Sequence, residues 1–152
     1  MAIKIVKADR KTALVANELL TKLIKDEKKY DDNINEYCVV KSLYEKFYNE
    51  QSVCLLIAKQ ENTVVGYVYG YVQDNGDTKK DVVCVLDALY VLEEHRKKGI
   101  GSQLVFEFKK WAKLKNAKYM ELKVCDQNKN ALKLYNFFGF KVNKLIMSCT
   151  LD

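Results

Sequence analysis

Apolar and polar residues along the first third of the chain recur with two different periods, and these periods predict its secondary structure. Ile3 and Ile5 alternate with lysine, which is typical of a short strand. Asp9 is a suitable N-cap for a helix whose apolar residues follow a 3.6-residue period at Ala13, Ala16, Leu19, Leu20, Leu23 and Ile24. A second helix is predicted to carry the apolar residues Val39, Val40, Leu43, Phe47 and Tyr48.

The rest of the chain predicts further strands and two more helices. Strands are predicted at residues 53–58, 63–72, 82–92 and 119–124. A long helix begins near Gly99 and buries Ile100, Leu104, Val105, Phe108, Trp111 and Ala112. A short helix covers residues 129–138, Gly139 ends it, and residues 140–151 return as one long strand or a bent pair. This order indicates an α/β (α+β) protein in which helices cover a mixed sheet.

Composition limits the domain count, the compartment and the metal content. The 152 residues contain no proline, repeat or low-complexity tract, so residues 1–152 are expected to form a single domain. No apolar run reaches the roughly 18–20 residues of a membrane span, and the N-terminus alternates like a strand instead of resembling a signal peptide. The five cysteines are scattered without a C-x-x-C pair, which argues against a disulfide framework or a metal site. We therefore expect a cytoplasmic protein with no membrane partner and no metal.

The net charge of +6 does not by itself indicate a nucleic-acid partner. Only Arg10 and Arg96 are arginines, and the lysines are interspersed with acidic residues, as on solvated helix faces. Nucleic-acid-binding proteins usually show a basic stripe with interleaved aromatic residues. We therefore expect no nucleic-acid partner. One basic cluster, residues 95–98, does stand out because it lies beside two glycines.

Residues 82–101, VVCVLDALYVLEEHRKKGIG, have the composition of an anion-binding site. A buried strand leads into a basic loop, then into Gly99 and Gly101, and then into a helix. The first N–H groups of a helix have no intrahelical partner and can bind an anion, and glycine allows a phosphate to approach the backbone closely. The segment has neither the spacing of a P-loop nor the third glycine of the dinucleotide fingerprint.

Two blocks of sequence resemble the GNAT acetyltransferases. Residues 96–101, RKKGIG, resemble the family's R/Q-x-x-G-x-G/A signature, and residues 128–140 resemble its N-x-x-A-x-x-x-Y-x-x-x-G-F block. The resemblance covers residues 53–150 with good motifs, and the first 50 residues match only in their strand–helix–helix pattern. It implies a GNAT fold, with a mixed central sheet of about six to seven strands flanked by about four helices. It also implies an enzyme that uses acetyl-CoA as co-substrate and needs no metal.

The same resemblance assigns the residues that bind acetyl-CoA. Leu89, Tyr90 and Val91 match the strand whose main chain holds the pantetheine arm. The loop and helix start that would hold the pyrophosphate consist of Arg96, Lys97, Lys98, Gly99, Ile100, Gly101 and Ser102. Asn128 matches an asparagine found near the pantetheine or the sulfur, and it is equally well placed to be a helix cap.

Two residues are candidates for catalysis. Tyr135 resembles the tyrosine that the family places beside the CoA sulfur, where a phenol that is protonated at neutral pH can protonate the leaving thiolate. Asp87 matches a carboxylate of polyamine-type acetyltransferases, and a lone carboxylate in an apolar strand is costly unless it is paired or functional. Asp87 is therefore a base, a water relay or an amine anchor, or else it makes a structural hydrogen bond. The oxyanion donor is expected to be a backbone N–H near residues 89–91.

The acceptor is the least determined part of the reaction. An acidic patch lies between the two predicted N-terminal helices and consists of Asp26, Glu27, Asp31, Asp32 and Glu36. Such a wall suits a cationic primary amine attacked directly in a ternary complex, although a solvated loop explains it nearly as well. The alternatives are a protein or peptide N-acetyltransferase and a non-catalytic acyl-CoA sensor. The chain is expected to be a monomer or a homodimer.

Overall fold

A computed structural model describes residues 2–151, in which one mixed sheet has five strands in the order β1-β2-β3-β4-β5. The strands are β1 (Ile3–Lys7), β2 (Val53–Gln60), β3 (Thr63–Val72), β4 (Val83–Val91) and β5 (Tyr119–Glu121). Neighbouring strands from β1 to β4 pair antiparallel, and β5 runs parallel to β4. The α-helices are α1 (Arg10–Glu27), α2 (Ile100–Leu114) and α3 (Lys129–Phe137), and short 3-10 turns occur at Tyr44–Lys46 and Glu93–His95.

Helix α1 packs on one face of the sheet, which we call the α1 face. Asp9 caps this helix as predicted: its carboxylate accepts from Thr12 N at 2.8 Å, and Thr12 Oγ1 accepts from Asp9 N at 2.9 Å. The buried cluster on this face combines small and aliphatic residues with three tyrosines: Ala13, Ala16, Leu19, Tyr44, Leu55, Ile57, Tyr67, Ala88 and Tyr90. Tyrosine therefore contributes most of the aromatic surface of the α1 face.

Helix α2 covers the opposite face, the α2 face, with an almost purely apolar cluster. Its buried members are Cys54, Ala58, Val65, Val68, Cys84, Leu86, Val91, Ile100, Leu104, Val105, Phe108 and Ala112. Gly70 makes the close approach of this helix possible, since a Cβ there would lie 2.3 Å from Phe108 Cε2 and 2.3 Å from the Val85 carbonyl oxygen. The glycine thus leaves room for the Phe108 ring on the sheet.

The predicted second helix at residues 39–48 is wrong. Only the 3-10 turn at Tyr44–Lys46 forms there, because polar groups of α1 hold this stretch. Asn17, which is buried, accepts from Tyr44 N at 3.0 Å and donates to Glu45 Oε1 at 2.7 Å. Glu45 also accepts from the Ser42 hydroxyl, and these hydrogen bonds lower the pKa of Glu45 to about 2. Such tertiary hydrogen bonds compete with a helical ladder.

The counts of strands and helices also differ from the expected six to seven and four. Among residues 2–151 there are five strands and three α-helices. Strand β5 ends at Glu121 instead of residue 124, and residues 140–151 form neither a strand nor a bent pair. Residues 141–151 are exposed throughout, so the sheet gains no strand from them.

Candidate active site

The loop between β4 and α2 has the backbone of an anion-binding turn. Lys97 and Gly99 both have positive φ, 61° and 82°, and Gly99 is the N-cap residue of α2. No side chain caps this helix, so the N–H groups of Ile100, Gly101 and Ser102 in its first turn point into the loop. A Cβ at Gly99 would meet nothing within 4 Å, which shows open space beside these donors. The loop therefore offers unshielded donors to an anion.

The three basic residues of this loop are not equivalent. Lys97 and Lys98 are exposed and form no ion pair within residues 2–151. Arg96 is held: its Nε donates to the Val91 carbonyl oxygen at 2.8 Å, and its Nη2 lies 3.1 Å from Asp26 Oδ2. The guanidinium carbon also lies 5.1 Å from the centre of the Tyr90 ring. Arg96 therefore ties the loop to the end of α1, whereas the two lysines are exposed cations with no acidic partner in the described chain.

Strand β5 pairs along its whole three-residue length, but only with the first three residues of β4. The parallel register joins Val83 to Tyr119, Cys84 to Met120 and Val85 to Glu121, and no pair follows within the described chain. The edge of β4 from residue 86 to residue 91 therefore has a neighbour on the β3 side only. This stretch includes Leu89, Tyr90 and Val91, so their main chain borders an opening in the sheet.

A β-bulge lies at Asp87. Across the β3–β4 pair, Tyr69 is opposite Ala88 and Gly70 is opposite Leu86, so Asp87 is the extra residue. The bulge changes which residues face each helix: Leu86 belongs to the α2-face cluster and Ala88 to the α1-face cluster. The Asp87 side chain is exposed. Asp87 thus lies on the stretch of β4 that has no β5 partner in the described chain.

The Asp87 charge acts on tyrosines of the neighbouring strand β3. Tyr69 packs against Tyr44 and Tyr71, with ring centres 5.0 and 5.8 Å apart. Burial raises the pKa of Tyr69 to about 12 and also raises that of Tyr71, and the nearby Asp87 charge adds to both increases. Burial raises the pKa of Asp87 itself, and Lys123 opposes the increase. The Asp87 carboxylate is therefore partly desolvated while its side chain remains reachable from solvent.

Glu27, the last residue of α1, is a further acidic group at this position. Burial raises its pKa, and the charges of Asp31 and Asp87 raise it further. The Glu27 charge in turn contributes to the raised pKa of Tyr135. Sequence reasoning included Glu27 only in the acidic patch and did not single it out as a site residue. Its position at the end of the amphipathic helix α1 could have indicated that it lies near the site.

Tyr135 lies on α3 and is partly buried against the α2-face cluster. Its ring lies 5.7 Å from that of Phe140. Burial, and secondarily the Glu27 charge, raises the pKa of Tyr135 to about 12. The phenol is consequently protonated throughout the neutral range. Leu134, the preceding residue, lies close to the start of α2, since a Cβ at Gly101 would be 3.5 Å from Leu134 Cδ2.

Asn128 has the capping geometry that the sequence allowed. It is the N-cap of α3, and its Oδ1 accepts from Ala131 N at 3.2 Å. Its carboxamide Nδ2 donates no hydrogen bond within residues 2–151 and is available to a ligand. Of the other cofactor-binding candidates, Tyr90, Val91 and Ile100 are buried, and Leu89 and Ser102 are partly buried. Any contribution of the buried residues to a ligand site would therefore come from their main chain.

The remaining reactive side chains are His95 and the five cysteines. His95 Nδ1 is buried without a hydrogen-bond partner among the described residues. All five cysteines are free, with Cys54 and Cys84 buried and Cys149 exposed. Within residues 2–151 no group of three or more potential ligands could hold a metal ion. No described helix is both long enough and apolar enough to cross a membrane.

Comparison with known proteins identifies relatives of this chain. A sequence model of the acetyltransferase (GNAT) family matches residues 17–140. The chain is 42% identical over 55 residues to the uncharacterized N-acetyltransferase YobR of Bacillus subtilis (strain 168), covering 36% of this chain and 22% of that protein. It is 34% identical over 80 residues to thialysine N-ε-acetyltransferase of Mus musculus, covering 53% of this chain and 46% of that protein. Both matches span less than half of the relative's length.

A solved structure shows the same fold across nearly the whole chain. Aminoglycoside N-acetyltransferase AAC(6')-Iy, solved in complex with CoA, superposes with a TM-score of 0.71 at 18% sequence identity. The superposition covers 99% of this chain and 95% of that chain. At 18% sequence identity, this similarity shows that the two chains share a fold.

Proposed function

The chain belongs to the acetyltransferase (GNAT) family, and from that premise we propose that it transfers the acetyl group of acetyl-CoA to a primary amine of a small cationic molecule. The observation that carries this proposal is that Glu27 lies within electrostatic reach of both candidate catalytic residues. Glu27 lies close enough to both Asp87 and Tyr135 to raise the pKa of Tyr135 and to be affected by Asp87 itself. These residues come from α1, β4 and α3 and are far apart in the sequence.

The loop between β4 and α2 is the proposed site for the pyrophosphate of acetyl-CoA. Its fit is supported by the uncapped start of α2, by the open space beside Gly99 and by the exposed Lys97 and Lys98. Acetyl-CoA supplies an activated thioester. The unpaired edge of β4 would bind the pantetheine arm through the main chain of Leu89 and Val91, as an added strand would. Asn128 could donate to the same arm with its free amide group while it caps α3.

The two catalytic residues divide the proton transfers between them. The attacking amine must lose a proton, and Asp87 would accept it directly or through one water molecule. The departing thiolate must gain a proton, and the Tyr135 hydroxyl would donate it, because a phenol with a pKa of about 12 is protonated at neutral pH. Backbone N–H groups of β4 near residues 89–91 would stabilise the oxyanion. An amine that starts protonated loses two protons: one offsets the proton that Tyr135 gives to the thiolate, and the other passes through Asp87 to solvent. The new C–N bond replaces the broken C–S bond of the thioester, so direct transfer is balanced.

The surroundings of Asp87 favour a cationic acceptor. The charges of Asp31 and Asp87 both act on Glu27 and raise its pKa beyond the effect of burial, so both acidic groups lie within electrostatic reach of Glu27. Tyr69 and Tyr71 add aromatic surface beside them. A protonated amine gains from both, through charge attraction and through cation–π contact. The relative from Mus musculus bears the name of an enzyme acting on thialysine, which is also a primary amine.

The compartment that we propose is the cytoplasm. All five cysteines are free, including the exposed Cys149, which supports a reducing environment.

A binding and turnover experiment tests the proposal. Calorimetry with CoA measures cofactor binding, and a panel of polyamine, lysine-like, aminoglycoside and peptide amines measures acetyl transfer. Free CoA should be quantified by chromatography, since exposed Cys149 would react with thiol reagents. We expect CoA binding and turnover with at least one small cationic amine. Turnover only with peptides would show that the acceptor is a peptide amine instead of a small cationic molecule. CoA binding without any turnover would favour an acyl-CoA sensor.

A further inference from the structure

Arg96 differs from the other cations of the loop between β4 and α2 because its side chain is anchored at three points. Its Nε donates to the Val91 carbonyl oxygen at 2.8 Å, and its guanidinium carbon lies 5.1 Å from the centre of the Tyr90 ring. Its Nη2 lies 3.1 Å from Asp26 Oδ2. The first two contacts are made to β4, so the strand holds the guanidinium where Asp26 of α1 meets it.

The last turn of α1 has few other attachments to the rest of the protein. Leu23 is the last residue of this helix that packs against the α1-face cluster. Within residues 2–151, the bond from Arg96 to Asp26 is the one hydrogen bond that joins residues 24–27 to a distant part of the chain. An isolated exposed ion pair stabilises little. This one loses less side-chain entropy, because β4 already fixes the arginine.

The same turn carries acidic groups of the proposed acceptor site. Glu27 is the last residue of α1, and its carbonyl oxygen accepts from Tyr30 N at 2.9 Å and from Asp31 N at 3.1 Å. Asp31 is therefore held in a turn directly after the helix. The charges of Asp31 and Asp87 both act on Glu27. A displacement of the last turn of α1 would consequently move carboxylates that the proposed acceptor site uses.

These contacts connect the loop at the start of α2 with the acidic groups at the end of α1. We propose that Arg96 is a positioning residue for the acceptor side of the reaction, which holds Asp26 and thereby keeps Glu27 within reach of Asp87. Its task differs from that of the two exposed lysines that follow it, which are left to neutralise the pyrophosphate. This role rests on the proposed function, since it concerns how that site holds a cationic amine.

Hydrogen exchange of the full chain tests whether the pair holds the helix, and it needs no acceptor. Asp26→Asn removes the ion pair, and residues 24–31 should then exchange roughly two- to fivefold faster, the range that an exposed pair supplies. Calorimetry should show that this variant binds CoA no more weakly than the wild type. Asp32→Asn is the matched control, because Asp32 is exposed, the charge change is identical and its carboxylate forms no ion pair within residues 2–151. This control should leave the exchange of residues 24–31 unchanged.

Arg96→Gln separates positioning from a direct effect of charge on the acceptor. Removal of a positive charge would by itself lower KM for a cationic amine, whereas a displaced Glu27 raises it. Spermidine, lysine and kanamycin serve as acceptor probes at saturating acetyl-CoA. For a probe that is acetylated, we expect KM to rise roughly two- to fivefold, with a smaller change in kcat. Lys97→Gln, which removes the same charge from the same loop, should leave this KM unchanged and weaken CoA binding more than Arg96→Gln does.

Four results would decide against this role or against its premise. Unchanged exchange of residues 24–31 in Asp26→Asn would overturn the proposal, because the pair would then not hold the helix. A loss of CoA affinity in Arg96→Gln at least as large as in Lys97→Gln would make Arg96 a phosphate ligand instead. An equal rise in KM for Asp26→Asn and Asp32→Asn would attribute the effect to net charge and also overturn it. If no probe is acetylated, the proposed acceptor class fails, whereas the exchange result still decides whether Arg96 holds α1.

Discussion

The two faces of the sheet differ in how they are built. The α2 face is an aliphatic core around Phe108, whose described members include no buried hydroxyl or charge. The α1 face contains tyrosines, and the hydroxyls of Tyr44 and Tyr67 lie 3.1 Å apart in its interior. Buried polar groups are tolerated when they are paired, as these two are. The α2 face therefore contributes mainly stability, whereas the α1 face combines packing with polar chemistry.

The gap between β4 and β5 is where the two faces meet. Tyr135 packs with the α2-face cluster, yet the Glu27 charge at the end of α1 contributes to its pKa. The bulge at Asp87 turns Leu86 and Ala88, which are two residues apart on β4, toward opposite helices. We therefore expect catalysis to take place at the gap between β4 and β5. Substitutions in the apolar α2-face cluster should change stability without a specific effect on catalysis.

The largest effect is expected from Tyr135→Phe, which tests whether the boundary tyrosine acts in catalysis. The substitution keeps the ring and its packing but removes the proton donor. We expect kcat to fall by roughly 10²–10⁴, the usual contribution of general acid catalysis. Steady-state kinetics measures the loss, and calorimetry should show little change in CoA binding.

Tyr67→Phe is the matched control for the loss of a hydroxyl. Tyr67 is fully buried and its hydroxyl faces that of Tyr44, so its removal should leave that partner unsatisfied. We expect a stability loss of about 1–3 kcal/mol with kcat nearly unchanged. If Tyr135→Phe keeps the wild-type kcat although chemistry is shown to be rate-limiting, Tyr135 is not the general acid and only contributes to packing.

Phe108→Ala should produce the next largest effect, and on stability alone. Phe108 is fully buried between α2 and the sheet at Gly70, and removal of such a ring costs about 3–5 kcal/mol. Urea denaturation measures the free energy of unfolding. Phe106→Ala on the same helix is the control, because Phe106 is 53% exposed and its loss should cost about 0.5 kcal/mol or less. A drop in kcat for folded Phe108→Ala would contradict the division between the faces.

Sequence patterns predicted the parts of this fold that local chemistry determines. The cap at Asp9 and the bounds of β3 follow from residues close together in the chain, and both are confirmed. The membership in the GNAT family that residues 96–101 and 128–140 indicated is also confirmed. The predicted roles of the site residues, including Tyr135 and Asp87, stay predictions.

Patterns failed where distant residues decide the structure. The apolar spacing of residues 39–48 suited a helix. Instead, the buried Asn17 of α1 accepts a hydrogen bond from Tyr44 N and donates one to the Glu45 carboxylate. Residues 140–151 have strand-forming composition, yet they pair with no strand among residues 2–151. The bulge at Asp87 depends on the β3 register, which the sequence of β4 alone does not reveal.

The smallest effect concerns Asp87→Asn, which tests whether the bulged carboxylate acts as a base. A base must be deprotonated, so kcat/KM should rise with pH through its pKa, which burial displaces upward. The Asn variant should lose this limb of the pH profile. We expect kcat/KM to fall by roughly tenfold to a hundredfold, because water can partly replace an exposed base.

Thermal unfolding against pH separates this role from a structural one. Because the pKa of Asp87 is raised in the folded chain, its charge destabilises the fold at neutral pH, and this cost disappears as acid protonates it. Asp87→Asn should therefore leave Tm at pH 7 unchanged or raise it by about 2 °C at most. Asp9→Asn should have the opposite effect on Tm at pH 7. Hydrogen bonds from Thr12 lower the pKa of Asp9 in the folded chain, so its charge stabilises the fold at neutral pH. This stabilisation is lost as the pH falls through the folded-state pKa. If Asp87→Asn instead lowers Tm at pH 7 as Asp9→Asn does, and its kinetic pH profile keeps the wild-type shape, Asp87 makes a structural hydrogen bond and the base lies elsewhere.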